Sequence, residues 1–290
     1  MPLDVDLKTK LLLLAPGFAI IIFITIGPFV FNYYMMFFRW KLYDPVYRHP
    51  VFVGLNNFIT LFTEYSLFWD AYVKTFIFTL IAVPIEFVLG MLLALSLNRK
   101  IPGDRILRGI LLIPLAMAPV AAGSIWRVIF NPMNGFANYF LHLAGLPPQP
   151  WNTSRSQAML TLVVVDVWQW TPFVGIVLLS ALTSLPREPM EAAMIDGASP
   201  RQVFWHVTLP LLRNILLLLL ILRIIECFKT FDYIYTLTYG GPGSATTLIT
   251  YRIYLDGFRR WEVGFAAAEA VLTAIIVSFI VVAFYRLMRR

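Results

Sequence analysis

The sequence predicts an all-α integral membrane protein with six transmembrane helices. Of its 290 residues, 59% are hydrophobic and only 13% are charged, whereas a soluble domain carries roughly a quarter of charged residues. The mean hydropathy of +0.76 agrees with this class. Several apolar runs along the chain are about 20 residues long, which is the length needed to cross the hydrocarbon core of a bilayer.

The six spans follow from these runs, which are separated by charged, aromatic or Pro- and Gly-rich segments. Their predicted bounds are 11–38, 72–97, 107–130, 158–182, 210–235 and 264–285. We expect the whole chain, residues 1–290, to form a single transmembrane domain. After the first span, the phrase F-V-G-L-N-N-F-I-T-L-F at 52–62 predicts an amphipathic helix lying at the external membrane interface.

The distribution of positive charge predicts the orientation in the membrane. Twelve of the 23 Lys and Arg residues fall in four short segments: the N-terminus, the turn at 98–108, the segment 187–213 and the C-terminus with Arg289 and Arg290. Short loops that are dense in Lys and Arg lie in the cytoplasm. We therefore expect both termini to be cytoplasmic, and the net charge of +7 reflects orientation rather than nucleic-acid binding.

A pair of short helices is predicted between the fourth and fifth spans. The first can begin at Pro189, since proline fits the first helical position, and should stop at Gly197, which tolerates a left-handed C-cap. The second has Ser199 as its N-cap, Pro200 at N1 and Gln202 at N3, which together predict a capping box. The segment is therefore predicted to form a helix, a tight glycine turn and a second helix.

This helix pair carries the pattern E-A-A-x-x-D-G-A at 191–198, followed by a phenylalanine and by L-P at 209–210. The pattern resembles the cytoplasmic coupling loop of membrane subunits of ATP-binding-cassette importers. The alternative, a soluble DNA-binding helix-turn-helix, also uses a central glycine, but here two membrane spans flank the pair and few cations accompany it. The resemblance implies a coupling loop at 184–209 that contacts an ATPase through Glu191, Ala192, Ala193, Asp196, Gly197, Ala198 and Phe204.

Three further phrases resemble carbohydrate-importer permeases of the maltose, trehalose and glycerol-phosphate kind. They are F-V-G-L-N-N-F at 52–58, V-W-Q-W-T-P-F at 167–173 and F-D-Y-I-Y-T-L-T-Y-G-G-P at 231–242. The resemblance implies the type I importer permease fold, a multi-pass protein of the cytoplasmic (inner) membrane and a sugar or polyol substrate. It also implies a homologous second permease, two cytoplasmic ATPase subunits and an extracytoplasmic solute-binding protein.

The same resemblance places ATP and Mg on the partner ATPase subunits. The chain itself has no G-x-x-x-x-G-K-[ST] phosphate-binding loop, so we expect it to bind no nucleotide and no other cofactor. It departs from the maltose relative in lacking a large external insertion between early spans. Which member of a permease pair carries the substrate site is therefore left open.

Seven charged residues fall within or at the ends of predicted spans, where each is costly unless it is paired or faces water. They are Glu86, Arg127, Asp166, Arg223, Glu226, Lys229 and Glu269. Three of them, Arg223, Glu226 and Lys229, recur every third residue in the fifth span with alternating sign. This spacing places them on one helix face. This spacing is compatible with a salt-bridge ladder that holds helices together and with a polar patch that faces substrate.

The fourth span has aromatic side chains on both sides of a polar amide, next to Pro172. Such a group suits a sugar, although tryptophans at these positions also fit an interfacial belt. Our substrate-pathway candidates are Asp166, Trp168, Gln169, Trp170, Phe173, Glu226, Lys229, Asp232 and Tyr235.

Two other classes of function compete with this interpretation. An ion-coupled secondary carrier or channel would commonly show inverted repeats, and no convincing repeat is found here. A membrane-embedded enzyme would need a metal cluster or a nucleophile with its base, but His49, His142 and His206 are scattered along the chain. We therefore predict no catalytic residues and no metal site, and a permease that alternates between inward- and outward-open states.

Overall fold

The computed structural model describes residues 6–99 and 103–288, and this part of the chain is almost entirely helical. One pair of short antiparallel strands is present, β1 (Phe38–Arg39) and β2 (Val51–Phe52). The helices are α1 (Leu7–Met35), α2 (Asn56–Thr63), α3 (Ser66–Asn98), α4 (Asp104–Ala116), α5 (Pro119–Ile129), α6 (Phe136–Leu143), α7 (Ala158–Thr183), α8 (Glu188–Ile195), α9 (Pro200–Val203), α10 (Leu209–Lys229), α11 (Ile249–Tyr254) and α12 (Val263–Met288). Part of the predicted basic turn, residues 100–102, and the C-terminal Arg289 and Arg290 lie outside the described residues.

Four helices in the described ranges are long and apolar enough to cross a membrane: α1, α3, α7 and α12. A fifth span results if the bent pair α4 and α5 is counted as one. The helix α10 is apolar along most of its length but also contains Arg213, Arg223 and Glu226. The count of six spans therefore stays a prediction that depends on the charged helix α10.

The helices α1, α3, α7 and α12 correspond to the first, second, fourth and sixth predicted spans, with differences at the ends of the first two. The second span begins earlier than predicted, because α3 continues back to Ser66. The first ends at Met35 rather than at residue 38, because the chain turns there into the strand β1. The fourth and sixth agree within a few residues, since α7 and α12 are long apolar runs without internal breaks.

The chain divides into two compact units, and the first comprises Met1–Phe68 and Ile253–Ile276. Within it, the predicted interfacial helix is α2, whose residue Asn57 is buried. The side-chain amide of Asn57 donates hydrogen bonds to the carbonyl oxygens of Met36 (2.8 Å) and Phe38 (3.0 Å). This asparagine thus joins the end of α1, the strand pair and α2, which gives the F-V-G-L-N-N-F phrase a structural role.

The second unit comprises Trp69–Arg252 and Val277–Arg290 and has α7 at its centre. The apolar core joins α3, α7 and α10; its buried members are Ala94, Leu97, Val174, Leu178, Leu179, Ala181, Leu182, Leu212 and Leu219. A Cβ atom at Gly90 would lie only 2.7 Å from Cγ1 of Val174. A small residue there lets α3 approach α7 closely, as is common between membrane helices.

The predicted third span is not one continuous helix, which corrects the expectation of a single run over 107–130. The helices α4 and α5 meet at an angle of 97°. Met117 and Ala118 are extended, with ψ of 134° at each. The residue before a proline avoids the helical region, so Pro119 ends one helix and begins the next.

The predicted fifth span also differs, because α10 ends at Lys229 and not at 235. Thr230 leaves the helix with ψ of 117°, and its carbonyl oxygen accepts a hydrogen bond from the hydroxyl of Thr250. A π-helical segment follows at Ile234–Thr238. The break is tolerated because its freed carbonyl group finds a side-chain donor within the same unit.

At its other end, α10 is continuous with the predicted coupling loop. The helix α9, a π-helical turn at Phe204–Thr208 and α10 follow one another without an interruption. At 1.5 Å per residue, this helix from Pro200 to Lys229 is about 45 Å long. The second half of the coupling loop is therefore continuous with the fifth predicted span.

Candidate functional site

The glycine turn between α8 and α9 has the predicted conformation. Gly197 adopts a left-handed φ of +86°. Its N–H donates to the carbonyl oxygen of Met194 (3.1 Å), and the N–H of Ala198 donates to that of Ala193 (2.9 Å). These two bonds form a Schellman motif, which satisfies the last carbonyl groups of α8. The turn is therefore fixed by local backbone bonds and needs glycine at one position.

The predicted capping box at the start of α9 is confirmed. The N–H of Gln202 donates to the hydroxyl oxygen of Ser199 (3.4 Å), while the N–H of Ser199 donates to Oε1 of Gln202 (2.8 Å). Pro200 is the first residue of the helix, as predicted. A capping box satisfies two backbone donors at once, so α9 begins at a defined residue.

The helix α8 has no buried residue among its eight. Glu191, Ala192, Asp196 and Gly197 are exposed, and the side chain of Ile195 is 86% exposed. Most helices in proteins are stabilised by packing of an apolar face, whereas no residue of this one is fully buried against the described part of the chain. Of the other predicted coupling residues, Ala193, Ala198 and Phe204 are half-buried.

A cleft lies between α8 and the adjacent ends of α3, α7 and α9. It encloses about 1240 Å³ of space that is open to solvent, with walls that include Leu95, Leu182, Met190, Glu191 and Phe204. The sequence pattern predicted the two helices of the coupling loop but not this cleft. The signal that points to it is the apolar face of α8, on which Met190 and Met194 lie four residues apart.

Three charged side chains of α3, α7 and α10 form a buried ion cluster, which consists of Glu86, Asp166 and Arg223. Arg223 donates through Nε and Nη2 to the two carboxylate oxygens of Glu86, at 2.6 and 2.8 Å. Its Nη2 also donates to Oδ2 of Asp166 at 2.8 Å. All three residues have a relative exposure of 0%. Arg223 is therefore paired across helices, while Glu226, its expected neighbour in a ladder, pairs with Lys229 at 2.9 Å.

The guanidinium group of the ion cluster also contacts an aromatic ring. The Cζ atom of Arg223 lies 4.5 Å from the ring centroid of Trp170. The ring of Phe173 meets that of Trp170 edge-on, with centroids 5.8 Å apart. A cation over an indole face is attracted by the ring quadrupole, so the ion cluster and Trp170 form one packed group.

Gln169, a predicted pathway residue, is buried and uses both ends of its amide. Its Nε2 donates to the carbonyl oxygen of Met117 (2.8 Å), and its Oε1 accepts from the hydroxyl of Tyr233 (2.7 Å). Met117 lies at the break between α4 and α5, and Tyr233 follows the end of α10. Gln169 thus connects two helix breaks and does not reach the surface.

A polar pocket lies where α10 ends, within the second unit. It encloses about 320 Å³ including its open mouth. Four predicted pathway candidates line this polar pocket: Trp170, Glu226, Lys229 and Asp232. Four further residues, which the sequence did not indicate, also line the pocket: Pro119, Thr230, Phe231 and Tyr233. Thr230 lies near Glu226 because the two are four residues apart at the end of a helix. Pro119 reaches the polar pocket because of the bend before α5.

The remaining pathway candidates lie around this pocket or away from it. Trp168 packs edge-on against Trp126, with ring centroids 5.5 Å apart. Tyr235 stacks on Phe231 at 5.6 Å and is 39% exposed. Asp166 belongs to the ion cluster and is not on the pocket wall. The described residues contain no group of three or more His, Cys, Asp or Glu side chains that could hold a metal ion.

Comparisons with known proteins agree with this architecture. The family model "Binding-protein-dependent transport system inner membrane component" matches residues 56–290. The chain is 34% identical over 278 residues to the trehalose/maltose transport system permease protein MalF of Thermococcus litoralis, covering 96% of this chain and 92% of that protein. It is 35% identical over 254 residues to the sn-glycerol-3-phosphate transport system permease protein UgpA of Yersinia enterocolitica, covering 86% and 84%.

Among solved structures, the chain is similar to one from a bacterial ABC transporter involved in the import of the acidic polysaccharide alginate. The TM-score is 0.82 at 24% sequence identity, and the match covers 98% of this chain and 97% of that one. At this identity, the likeness concerns the fold. It agrees with the helical importer-permease fold that the sequence predicts.

Proposed function

Because the chain belongs to the family of binding-protein-dependent transport system inner membrane components, we propose that it forms half of the translocation pathway of an ATP-driven sugar or polyol importer. It is a permease subunit of the inner membrane and not itself an enzyme. The relatives described above belong to trehalose/maltose and glycerol-3-phosphate transport systems. Their names support a sugar, a polyol or a phosphorylated polyol as the substrate class.

The membrane topology is part of this proposal. Six spans result when the bent pair α4 and α5 is one span and α10 is another, so that residues 1–290 act as one transmembrane domain. Both termini and the coupling loop then lie in the cytoplasm, because they contain the short segments that are dense in Lys and Arg. The charge of Arg223 in the middle of α10 is compatible with a span, since this side chain is buried and paired with two carboxylate groups.

The coupling loop is the proposed docking site for a cytoplasmic ATPase subunit. The observation that supports this most directly is the exposure of α8, which has no buried residue although Met194 and Ile195 are apolar. A partner that covers α8 would remove this apolar surface from water, which is favourable. Glu191, Ala192, Ala193, Asp196, Gly197, Ala198 and Phe204 are the proposed contact residues. ATP and Mg bind on the ATPase subunits in this proposal.

The coupling loop is proposed to drive the conformational change through one helix. The single observation that supports this mechanism is that the helix runs from Pro200 to Lys229 without an interruption. One end of it lies in the coupling loop, and the other end supplies Glu226 and Lys229 to the polar pocket. A displacement of the coupling loop by ATP-driven closure of the ATPase pair would therefore move the pocket wall directly. Rigid movement of packed helices is a common way of switching between conformations.

The polar pocket is the proposed contact site for substrate. It combines the aromatic ring of Trp170 with the carboxylate groups of Glu226 and Asp232 and the ammonium group of Lys229. Carboxylates accept hydrogen bonds from hydroxyl groups, and an ammonium group donates them. Trp168, Phe173 and Tyr235 extend the aromatic surroundings of the pocket. Asp166 and Gln169 do not line the pocket and would affect substrate only through the residues that do. A homologous second permease supplies the other half of the pathway, and an extracytoplasmic binding protein delivers substrate.

The proposal is tested by reconstituting the chain in liposomes, alone and together with its sister permease, two ATPase subunits and binding protein. Radiolabelled trehalose, maltose and glycerol 3-phosphate serve as probes. We expect the complete set to take up at least one probe, and only when ATP is present on the side of the membrane where the ATPase subunits lie. The chain alone should take up none. Accumulation by the chain alone, driven by a proton or sodium gradient, would contradict the proposal and favour a secondary carrier.

A further inference from the structure

We propose that Arg223 is a positioning residue for substrate recognition, which holds the indole ring of Trp170 in place at the wall of the polar pocket. The inference rests on the proposed function above, which makes the polar pocket part of the translocation pathway. Arg223 itself does not line the pocket and is fully buried. Its influence on substrate would therefore be transmitted through the ring that it contacts.

The position of the Arg223 guanidinium group is determined by partners on two other helices. Glu86 on α3 accepts two hydrogen bonds from it, and Asp166 on α7 accepts a third. A guanidinium group that binds a carboxylate through two parallel bonds is fixed in its plane as well as in its position. The ion cluster thus presents a flat cation of defined orientation to whatever lies beside it.

Trp170 lies beside this cation and also at the pocket. The distance from Cζ of Arg223 to the ring centroid is 4.5 Å, within the range of a cation–π contact. Trp170 follows Asp166 by one helical turn, so the cation binds a carboxylate and a ring on the same face of α7. Phe173 contacts the same ring edge-on. The indole therefore contacts both the guanidinium group of Arg223 and the ring of Phe173, and it lines the polar pocket.

Helix packing alone does not explain three buried charges. Replacing a buried ion pair by apolar residues of similar size is often neutral or stabilising, because burial of charge is costly. The guanidinium group of Arg223 also has one nitrogen, Nη1, without a hydrogen-bond partner among the described residues. A role in orienting Trp170 gives a reason for a planar cation at this position, which a lysine ammonium group would not fulfil.

The test is a double-mutant cycle in the complete transporter, with radiolabelled trehalose, maltose and glycerol 3-phosphate as probes. Arg223→Lys keeps the charge and removes the planar contact, while Trp170→Leu removes the aromatic ring. We expect Arg223→Lys to raise the half-saturating concentration of the transported probe about two- to thirty-fold. In the Trp170→Leu background, Arg223→Lys should change that concentration less than about twofold, since the ring through which it acts is gone. An equal effect in both backgrounds would overturn the proposal.

A second measurement follows the ring itself and needs no substrate. The complex is labelled with 5-fluorotryptophan, and the fluorine resonance that disappears in Trp170→Phe is assigned to Trp170. We expect this resonance to shift in Arg223→Lys and, by a smaller amount, in Asp166→Asn, which leaves Glu86 in place. The exposed α10 substitution Leu218→Ile serves as a control and should leave it unchanged. An unshifted resonance in Arg223→Lys would refute positioning, whatever happens to transport.

The two measurements separate this inference from the proposed function. A shifted resonance together with no uptake of any of the three probes by the wild-type complex would support positioning by Arg223 and count against the proposed substrate range. Uptake by the wild-type complex together with an unshifted resonance would support the function and refute the positioning.

Discussion

Gln169 donates a hydrogen bond of 2.8 Å from Nε2 to the carbonyl oxygen of Met117 and so connects the middle of α7 to the break between α4 and α5. The hydroxyl of Tyr233 donates to the other end of the same amide at 2.7 Å. Met117 follows the end of α4, where backbone groups lose their helical partners. In a membrane, such groups must be satisfied within the protein, and the buried amide of Gln169 does this for the carbonyl group of Met117.

We predict that Gln169→Leu lowers the stability of the purified protein. Each buried polar group that is left without a partner costs about 1–3 kcal/mol, so the carbonyl of Met117 and the hydroxyl of Tyr233 would both contribute. The measurement is the midpoint of thermal unfolding in detergent. Ser124→Ala is the control, because that exposed hydroxyl donates to a carbonyl oxygen of its own helix. Equal midpoints for the two variants would show that the amide does not support the breaks.

Gly197→Ala is expected to reduce ATP-driven uptake at least tenfold while the amount of protein in the membrane stays the same. A side chain in the left-handed region costs roughly 1–2 kcal/mol, and Gly197 has a φ of +86°. A Cβ atom there meets no other atom within 4 Å, so the cost arises from the backbone conformation and not from a collision.

The matched control for this prediction is Gly109→Ala in α4. Gly109 also has no atom near its hypothetical Cβ, but its φ is that of a helix. Uptake by the Gly109→Ala transporter should equal that of the wild type. If Gly197→Ala transports at the same rate as this control, the conformation of the turn is not required for coupling.

Charge reversal on α8 is expected to depend on position. Glu188 and Glu191 are both exposed and both lie in the first helical turn, where an acidic side chain is stabilising by about 0.3–1 kcal/mol. Only Glu191 also lines the cleft beside the coupling loop. We predict that Glu191→Lys abolishes co-purification of the ATPase subunits, whereas Glu188→Lys retains at least half of it. Equal losses in the two variants would indicate a general effect of charge on α8.

Glu226→Gln is expected to raise the half-saturating substrate concentration for uptake about tenfold, with less than a twofold change in protein abundance. Glu226 lines the polar pocket and pairs with Lys229 in a partly exposed salt bridge, and exposed pairs of this kind contribute little to stability. Leu218→Ile, on an exposed face of the same helix, is the control. If the two variants show the same concentration dependence, the charges at the end of α10 have no role in recognition.

Local signals explain which parts of this fold could be predicted. The turn at Gly197 and the capping box of Ser199 and Gln202 each depend on residues within five positions of one another, so the sequence pattern contains all of their partners. The long apolar runs likewise predict the helices that cover four of the spans. The spacing of residues in the coupling loop does not by itself indicate a role. The expected contact with an ATPase came from the resemblance to importer permeases.

Long-range relationships explain what could not be predicted. Arg223 lies three residues from Glu226, but its partners are 57 and 137 positions away along the chain, on α7 and α3. The bend before Pro119 is not visible in an apolar pattern that is the same on both sides of it. The break at Thr230 depends on a hydroxyl donor from Thr250, twenty positions later. For Arg223 and for Thr230, the deciding partner comes from another element.

The proposed entry of energy from ATP hydrolysis through the coupling loop is tested by chemical labelling at Ala192. The described residues contain one cysteine, the buried Cys227, so Cys227→Ser combined with Ala192→Cys provides a single reactive site. We predict that a membrane-impermeant maleimide labels this site in inside-out vesicles that lack the ATPase subunits, that assembled ATPase subunits protect it, and that right-side-out vesicles are not labelled. Labelling from the external side, or equal labelling with and without the ATPase subunits, would contradict the claim.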